Sequence, residues 1–249
     1  MNQLPLLLSG ASFLYVGGMF LNDAFDVEFD RQYRRERPIP SGAISQATVW
    51  RIGCALLIVG VITLFWLGPI CGYLGLALSA CIFVYDAIHK RTVLAPLLMA
   101  LCRFWLYVIA ASTGTEGVTG WSIWCGLALG AYIAGLTYLA RIESAPGPLR
   151  HGPIVLLVVP VLLALIMNRG PYFQGALLLV AVAGLWIVRC LRYALSEIDK
   201  SIGRAVAGLL AGIVFVDWLA AADGPRELSF AFIALFFLAL GFQKFVPAT

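Results

Sequence analysis

The sequence predicts an all-α fold: a polytopic transmembrane helical bundle of about nine helices, forming a single integral membrane domain over residues 1–249. Three observations predict it. Hydrophobic residues make up 61% of the chain and charged residues 12%, whereas a soluble domain carries about 25% charged residues. The apolar residues gather in nine runs, 4–22, 48–68, 71–86, 95–113, 121–140, 152–168, 172–190, 205–221 and 228–245, most of them near the ~20 residues a helix needs to cross a hydrocarbon core. The runs are also continuous, so they do not read as alternating barrel strands, and lipid offers no partner to the backbone of an open sheet.

The first run lacks a basic leader and is followed by acids instead of an A-x-A site, so it reads as a helix and not as a signal peptide. It ends in NDAFDVEFDRQYRRER (22–37), which leads into RPIPSG. The third run closes on YDAIHKR, the fourth encloses Arg103, the fifth closes on LARIESAPGPLRHG, and the eighth encloses Asp217. Six cysteines lie in or beside these runs without a C-x-x-C pair and read as small apolar packing residues.

Charge placement orients the helices. Taken alternately, the connections 23–47, 87–94, 141–151, 191–204 and the C-terminal tail, with the adjoining helix ends, hold 14 of the 17 Lys and Arg residues. The opposite connections hold only Arg169 and Arg226. The positive-inside rule assigns the basic set to the cytoplasm, which predicts an outward N-terminus and a one-sided active site at the cytoplasmic face of a bacterial inner or plasma membrane. The net charge of +4 is accounted for by this topology and gives no reason to expect a nucleic-acid partner.

Within NDAFDVEFD, Asp23, Asp26 and Asp30 are spaced i, i+3, i+7, so on a helix they fall within roughly 60° of arc. Asn22 borders that face and Glu28 points away. Aspartates in register at a membrane boundary form a multi-oxygen site, and carboxylates with water suit Mg²⁺, which commonly takes one or two carboxylates plus substrate phosphate. The competing reading is a polar helix end paired with Arg31, Arg34 and Arg35. Acids at such a boundary are functional candidates by default.

The pattern N-D-x-x-D-x-x-x-D, followed by RPIPSGAIS, resembles the first aspartate motif of the UbiA superfamily of intramembrane prenyltransferases; Arg37, Pro38, Pro40, Gly42 and Ser45 match it. Tyr85 with Lys90 and Arg91 is similar to that family's Y-x-x-x-x-K-R, and the likeness extends over roughly residues 5–220. The resemblance implies Mg²⁺-dependent transfer of a prenyl group from an isoprenyl diphosphate to an unidentified small-molecule acceptor, within the lipid bilayer. It gives Asp23, Asp26 and Asp30 metal-binding and catalytic roles, with Asn22 in support. Arg37, Lys90 and Arg91 would contact the diphosphate, and Tyr85 would line the pocket. Arg103, Tyr138 and Arg141 are further pocket candidates. Where the family carries a second aspartate motif this chain has Glu143 alone, with Arg141, Arg150 and His151 nearby. That weak second motif is similar to the divergent, EboC-like branch, and it leaves open an alternative: a catalytically divergent lipid or metabolite carrier, or a scaffold. A secondary transporter would instead place its acids at midplane. Asp86 and Lys90, at i, i+4, are expected to pair with each other, and His89 and His151 to sit at the interface.

Overall fold

In a computed structural model the chain is described over residues 3–90, 92–144, 152–167, 173–196, 201–222 and 224–243, apart from the side chains of 143–144, 173–174 and 226. Ten α-helices form in order: α1 (Leu4–Phe25), α2 (Val27–Tyr33), α3 (Gln46–Leu67), α4 (Pro69–Ile88), α5 (Ala95–Ser112), α6 (Gly120–Ser144), α7 (Val159–Met167), α8 (Phe173–Leu195), α9 (Ile202–Ala220) and α10 (Arg226–Phe242). A 3₁₀ segment, Gly152–Val158, leads into α7. No strand forms among the described residues. Each of the nine apolar runs becomes helix, and 7 of the described helices are long and apolar enough to cross a membrane. Over their described residues the runs at 152–168 and 228–245 form apolar helical stretches of fewer than 18 residues, Gly152–Met167 and Glu227–Phe242.

The chain divides into two compact units, Met1–Gly126 and Leu127–Thr249. In the first, α1 packs antiparallel on α3 by a reciprocal exchange of glycine and leucine. Gly10 and Gly17 face Leu64 and Leu57, while Gly60 and Gly53 face Leu14 and Leu21. A Cβ built on Gly60 would stand 3.0 Å from the Gly10 carbonyl, and one on Gly53 would stand 3.2 Å from that of Gly17. Lipid tails are as apolar as leucine, so helices in a bilayer associate through such close fit and not through the hydrophobic effect. Leu14, Leu21, Leu57 and Leu64 are buried in the same core as Leu78 of α4 and Ile109 of α5. This packing holds α1 in place, and the acidic motif begins at its end.

In the second unit the fully buried Tyr132 of α6 donates its hydroxyl to the Leu209 carbonyl at 2.8 Å. Trp186 Nε1 of α8 donates to the Gly208 carbonyl at 2.8 Å. Gly212 leaves room for both side chains, since a Cβ there would meet the Tyr132 hydroxyl at 2.6 Å and the Trp186 ring at 3.0 Å. Phe215 and Phe236 complete an aromatic cluster with Trp186.

Candidate active site

The acidic motif spans a seam between two helices. α1 closes at Asp26, but the backbone ladder continues through it: Asp26 N–H donates to the Asn22 carbonyl and Asp30 N–H to the Asp26 carbonyl, both at 2.9 Å. Helical register therefore persists through the seam. Asp23 and Asp30, about 20° apart on the helical wheel, share one cation. Arg37 Nη1 lies 2.8 Å from Asp23 Oδ1 and 3.4 Å from Asp30 Oδ2. Asp26 lies further round the wheel and meets the end of α4, with Lys90 Nζ at 2.8 Å and His89 Nε2 at 3.5 Å from its Oδ1. That oxygen is buried and, despite the close ammonium, lies outside hydrogen-bonding geometry.

Arg37 reaches back to α1 because of RPIPSG. Ser41 N–H closes onto the Arg37 carbonyl at 2.9 Å, and Ile44 N–H onto Pro38 at 3.3 Å. Gly42 takes φ +81°, a left-handed turn position that glycine adopts without steric cost. Ser45 then caps α3 by accepting from Thr48 N–H. Gln46 Nε2 donates to the Ala24 carbonyl at 3.0 Å, fastening the start of α3 to the end of α1. The motif's prolines and glycine thus position a guanidinium over two carboxylates.

Behind these groups opens a cavity of about 400 Å³ between α1, α4 and α5. Asn22, Asp23, Arg37, Tyr85, Asp86 and Arg103 give it polar groups, while Leu14, Gly18, Ile82 and Leu106 are among its apolar walls. Arg103 rises from within α5 to line the cavity and lies 5.8 Å from the Tyr15 ring, in cation–π range. Gly18 keeps the passage open, since a Cβ there would press on Ile82 at 2.9 Å.

The expected Asp86–Lys90 pair does not form. Lys90 turns to Asp26 and over the Phe29 ring, at 3.8 Å from its centroid, while Asp86 Oδ1 accepts from Asn22 Nδ2 at 3.1 Å. The i, i+4 spacing fails because α4 ends at Ile88, before Lys90, and the end of α1 presents both a carboxylate and an amide to this region. Asp86 is 5% exposed, and its Oδ2 is buried without a hydrogen-bond donor among the described residues. A polar group left so costs on the order of 1–3 kcal/mol, more when charged. The sequence reading missed this residue, and its signal was its place one residue after Tyr85 in the motif helix. His89 stacks on Tyr85 at 5.0 Å and borders Asp26.

Of the remaining expectations, Tyr138 and Arg141 lie on the part of α6 that belongs to the second unit. Glu143 falls in the same helix, its side chain outside the described residues, as are Arg91 and the segment 145–151 that includes Arg150 and His151. Arg31 and Arg35 are exposed and Arg34 is half-buried, and Arg31 lies 3.6 Å from the exposed Glu28, a surface pair that contributes little. Among the described residues no group of three or more His, Cys, Asp or Glu side chains is gathered as a ready metal cage. The acids are engaged by Arg37 and Lys90 instead.

A multi-pass bundle of long apolar helices with an acid-and-arginine cluster at the end of one of them defines an integral membrane protein with a polar-mouthed, apolar-walled cavity. The chain belongs to the UbiA prenyltransferase family, whose model matches residues 2–202. It is similar to a protoheme IX farnesyltransferase of Geobacter sulfurreducens, 32% identical over 142 residues, covering 54% of this chain and 48% of that protein. It is also similar to digeranylgeranylglyceryl phosphate synthases of Methanosarcina mazei, 32% identical over 70% of this chain and 66% of the relative, and of Methanothrix thermoacetophila, 29% identical over 74% and 75%. The chain thus spans about half the length of the first of these relatives. No solved structure matches it.

Proposed function

We propose that this chain is an intramembrane prenyltransferase, moving a prenyl group from an isoprenyl diphosphate to a small-molecule acceptor with Mg²⁺ as cofactor. The observation that carries the reading is the cavity of the first unit, which joins Asp23 and Arg37 to an apolar passage along α1, α4 and α5. A prenyl diphosphate has that same division, a multiply charged head on a hydrocarbon tail. Family membership and relatives named as a farnesyltransferase and as digeranylgeranylglyceryl phosphate synthases support it.

Asp23, Asp26 and Asp30 would hold the metal. Their donors are all hard oxygens, and Mg²⁺ needs only one or two carboxylates when substrate phosphate completes its shell. The lack of a three-acid cage is therefore compatible with the role. When bound, the ion would neutralise charge on the leaving diphosphate. Arg37 keeps Asp23 and Asp30 together in the free chain, and it can turn its remaining N–H groups to phosphate oxygens as charge-assisted donors. Lys90 offers a second cation from the end of α4. The apolar walls at Leu14, Ile82 and Leu106 would keep water from the carbon that loses diphosphate. The charge asymmetry of the connections supports a cytoplasmic site.

Equilibrium binding of geranylgeranyl diphosphate to the purified chain tests the reading. Binding should require Mg²⁺ and be lost in Asp23→Ala and Asp26→Ala. Binding indifferent to metal and to both substitutions would contradict it, and metal-dependent binding that never yields pyrophosphate would favour a carrier.

A further inference from the structure

The cavity holds one group that neither half of a prenyl diphosphate can satisfy. Asp86 is 5% exposed and lines the cavity from α4. Its Oδ1 is held by Asn22 Nδ2 at 3.1 Å, and its buried Oδ2 has no donor among the described residues. Neighbouring Asp23 is in a different position, its carboxylate bridged to Arg37 at 2.8 Å. When Asp86 is ionised, its Oδ2 needs a partner that brings an N–H, an O–H or a metal ion. An isoprenoid tail has no such hydrogen, and a diphosphate would meet the carboxylate as a like charge. On the prenyl-transfer reading the metal is already assigned to Asp23, Asp26 and Asp30, at the seam of α1 and α2. The acceptor remains.

We infer that Asp86 is the acceptor-side base of this site, and that the acceptor is a hydroxyl compound whose O–H is hydrogen-bonded by Asp86 Oδ2. The inference rests on the prenyl-transfer reading. In the step, the bond between the prenyl C1 and the diphosphate oxygen breaks, and its electron pair leaves with the diphosphate. A lone pair of the acceptor oxygen forms the new C1–O bond, and the hydroxyl proton passes to Asp86 Oδ2. No oxidant or reductant enters. Asn22 is the positioning residue: its amide fixes the plane of the carboxylate through Oδ1 and leaves Oδ2 for the acceptor. A base in this position needs a partner that supplies the hydrogen bond missing in the free chain, which a hydroxyl does on binding.

The test uses the full chain in detergent with geranylgeranyl diphosphate as donor and methanol, against water alone, as the hydroxyl probe. The products read are the methyl ether, geranylgeraniol and pyrophosphate. Asp86→Asn should bind the donor and Mn²⁺ within threefold of the parent chain and form ether and alcohol at least a hundredfold more slowly. Asp86→Ala should regain turnover when formate is added, which a purely structural role would not produce. Three outcomes overturn the inference alone: undiminished product formation by Asp86→Asn, a loss of Mn²⁺ or donor binding in that variant, and no rescue of Asp86→Ala by formate. A parent chain that forms neither ether nor alcohol overturns the prenyl-transfer reading and this inference with it.

Discussion

Arg37 holds two aspartates of one helical face together, at 2.8 and 3.4 Å, and without it two like charges would stand side by side at the mouth of an apolar cavity. Hydrogen bonds to charged groups contribute about 1.5–3 kcal/mol, so Arg37→Ala should weaken donor binding roughly 10- to 100-fold by that scale. Arg37→Lys should recover only part of it, because an ammonium is a point charge and lacks the planar fork. Titration of the two variants with geranylgeranyl diphosphate checks both statements, and equal affinities for parent and Arg37→Ala would remove the arginine from the site. At this scale the sequence was legible where a motif fixes spacing: Asp23 and Asp30 share Arg37, and Asp26 meets Lys90. It was not legible at Asp86, whose spacing to Lys90 suggests a local pair. The partner that holds it, Asn22, lies 64 residues away in sequence, and only the packing of α1 against α4 brings the two together.

At the scale of elements, the site depends on α1 and α3 staying in close contact. Gly60 is the tightest point of their exchange, with a built Cβ 2.8 Å from Leu14 and 3.0 Å from the Gly10 carbonyl. Overpacking of this kind typically costs about 1–3 kcal/mol, so Gly60→Leu should lower the melting temperature in detergent and reduce donor binding along with it. Gly184→Leu is the matched control, since no atom lies within 4 Å of a Cβ built there, and its melting temperature should stay at the parent value. The helices themselves could be read from hydrophobic run length, because a backbone in lipid must satisfy its hydrogen bonds within each segment. The glycine–leucine exchange could not be read so simply: Gly10 and Gly17 gain meaning only opposite Gly60 and Gly53. The seam at Asp26 was hidden too, because its hydrogen bonds run on unbroken from Asn22 to Asp30.

At the scale of the whole molecule, hydropathy and charge asymmetry together predict which loops share a compartment. Cysteines introduced at Ser41 and at Glu116, in a chain with Cys54 replaced, should label from opposite sides of a sealed membrane with an impermeant maleimide. Ser41 should react from the cytoplasmic face, and labelling of both from one side would overturn the predicted topology. The family assignment follows from the match over residues 2–202, while no motif in the sequence names an acceptor. The central claim is prenyl transfer in the cavity of the first unit, and pyrophosphate release tests it most directly. Purified chain given geranylgeranyl diphosphate and an acceptor extract should release pyrophosphate with Mg²⁺, stop with EDTA, and remain silent in Asp23→Ala. Release that persists in Asp23→Ala, or no release from the parent chain with any prenyl diphosphate and acceptor, would contradict the account.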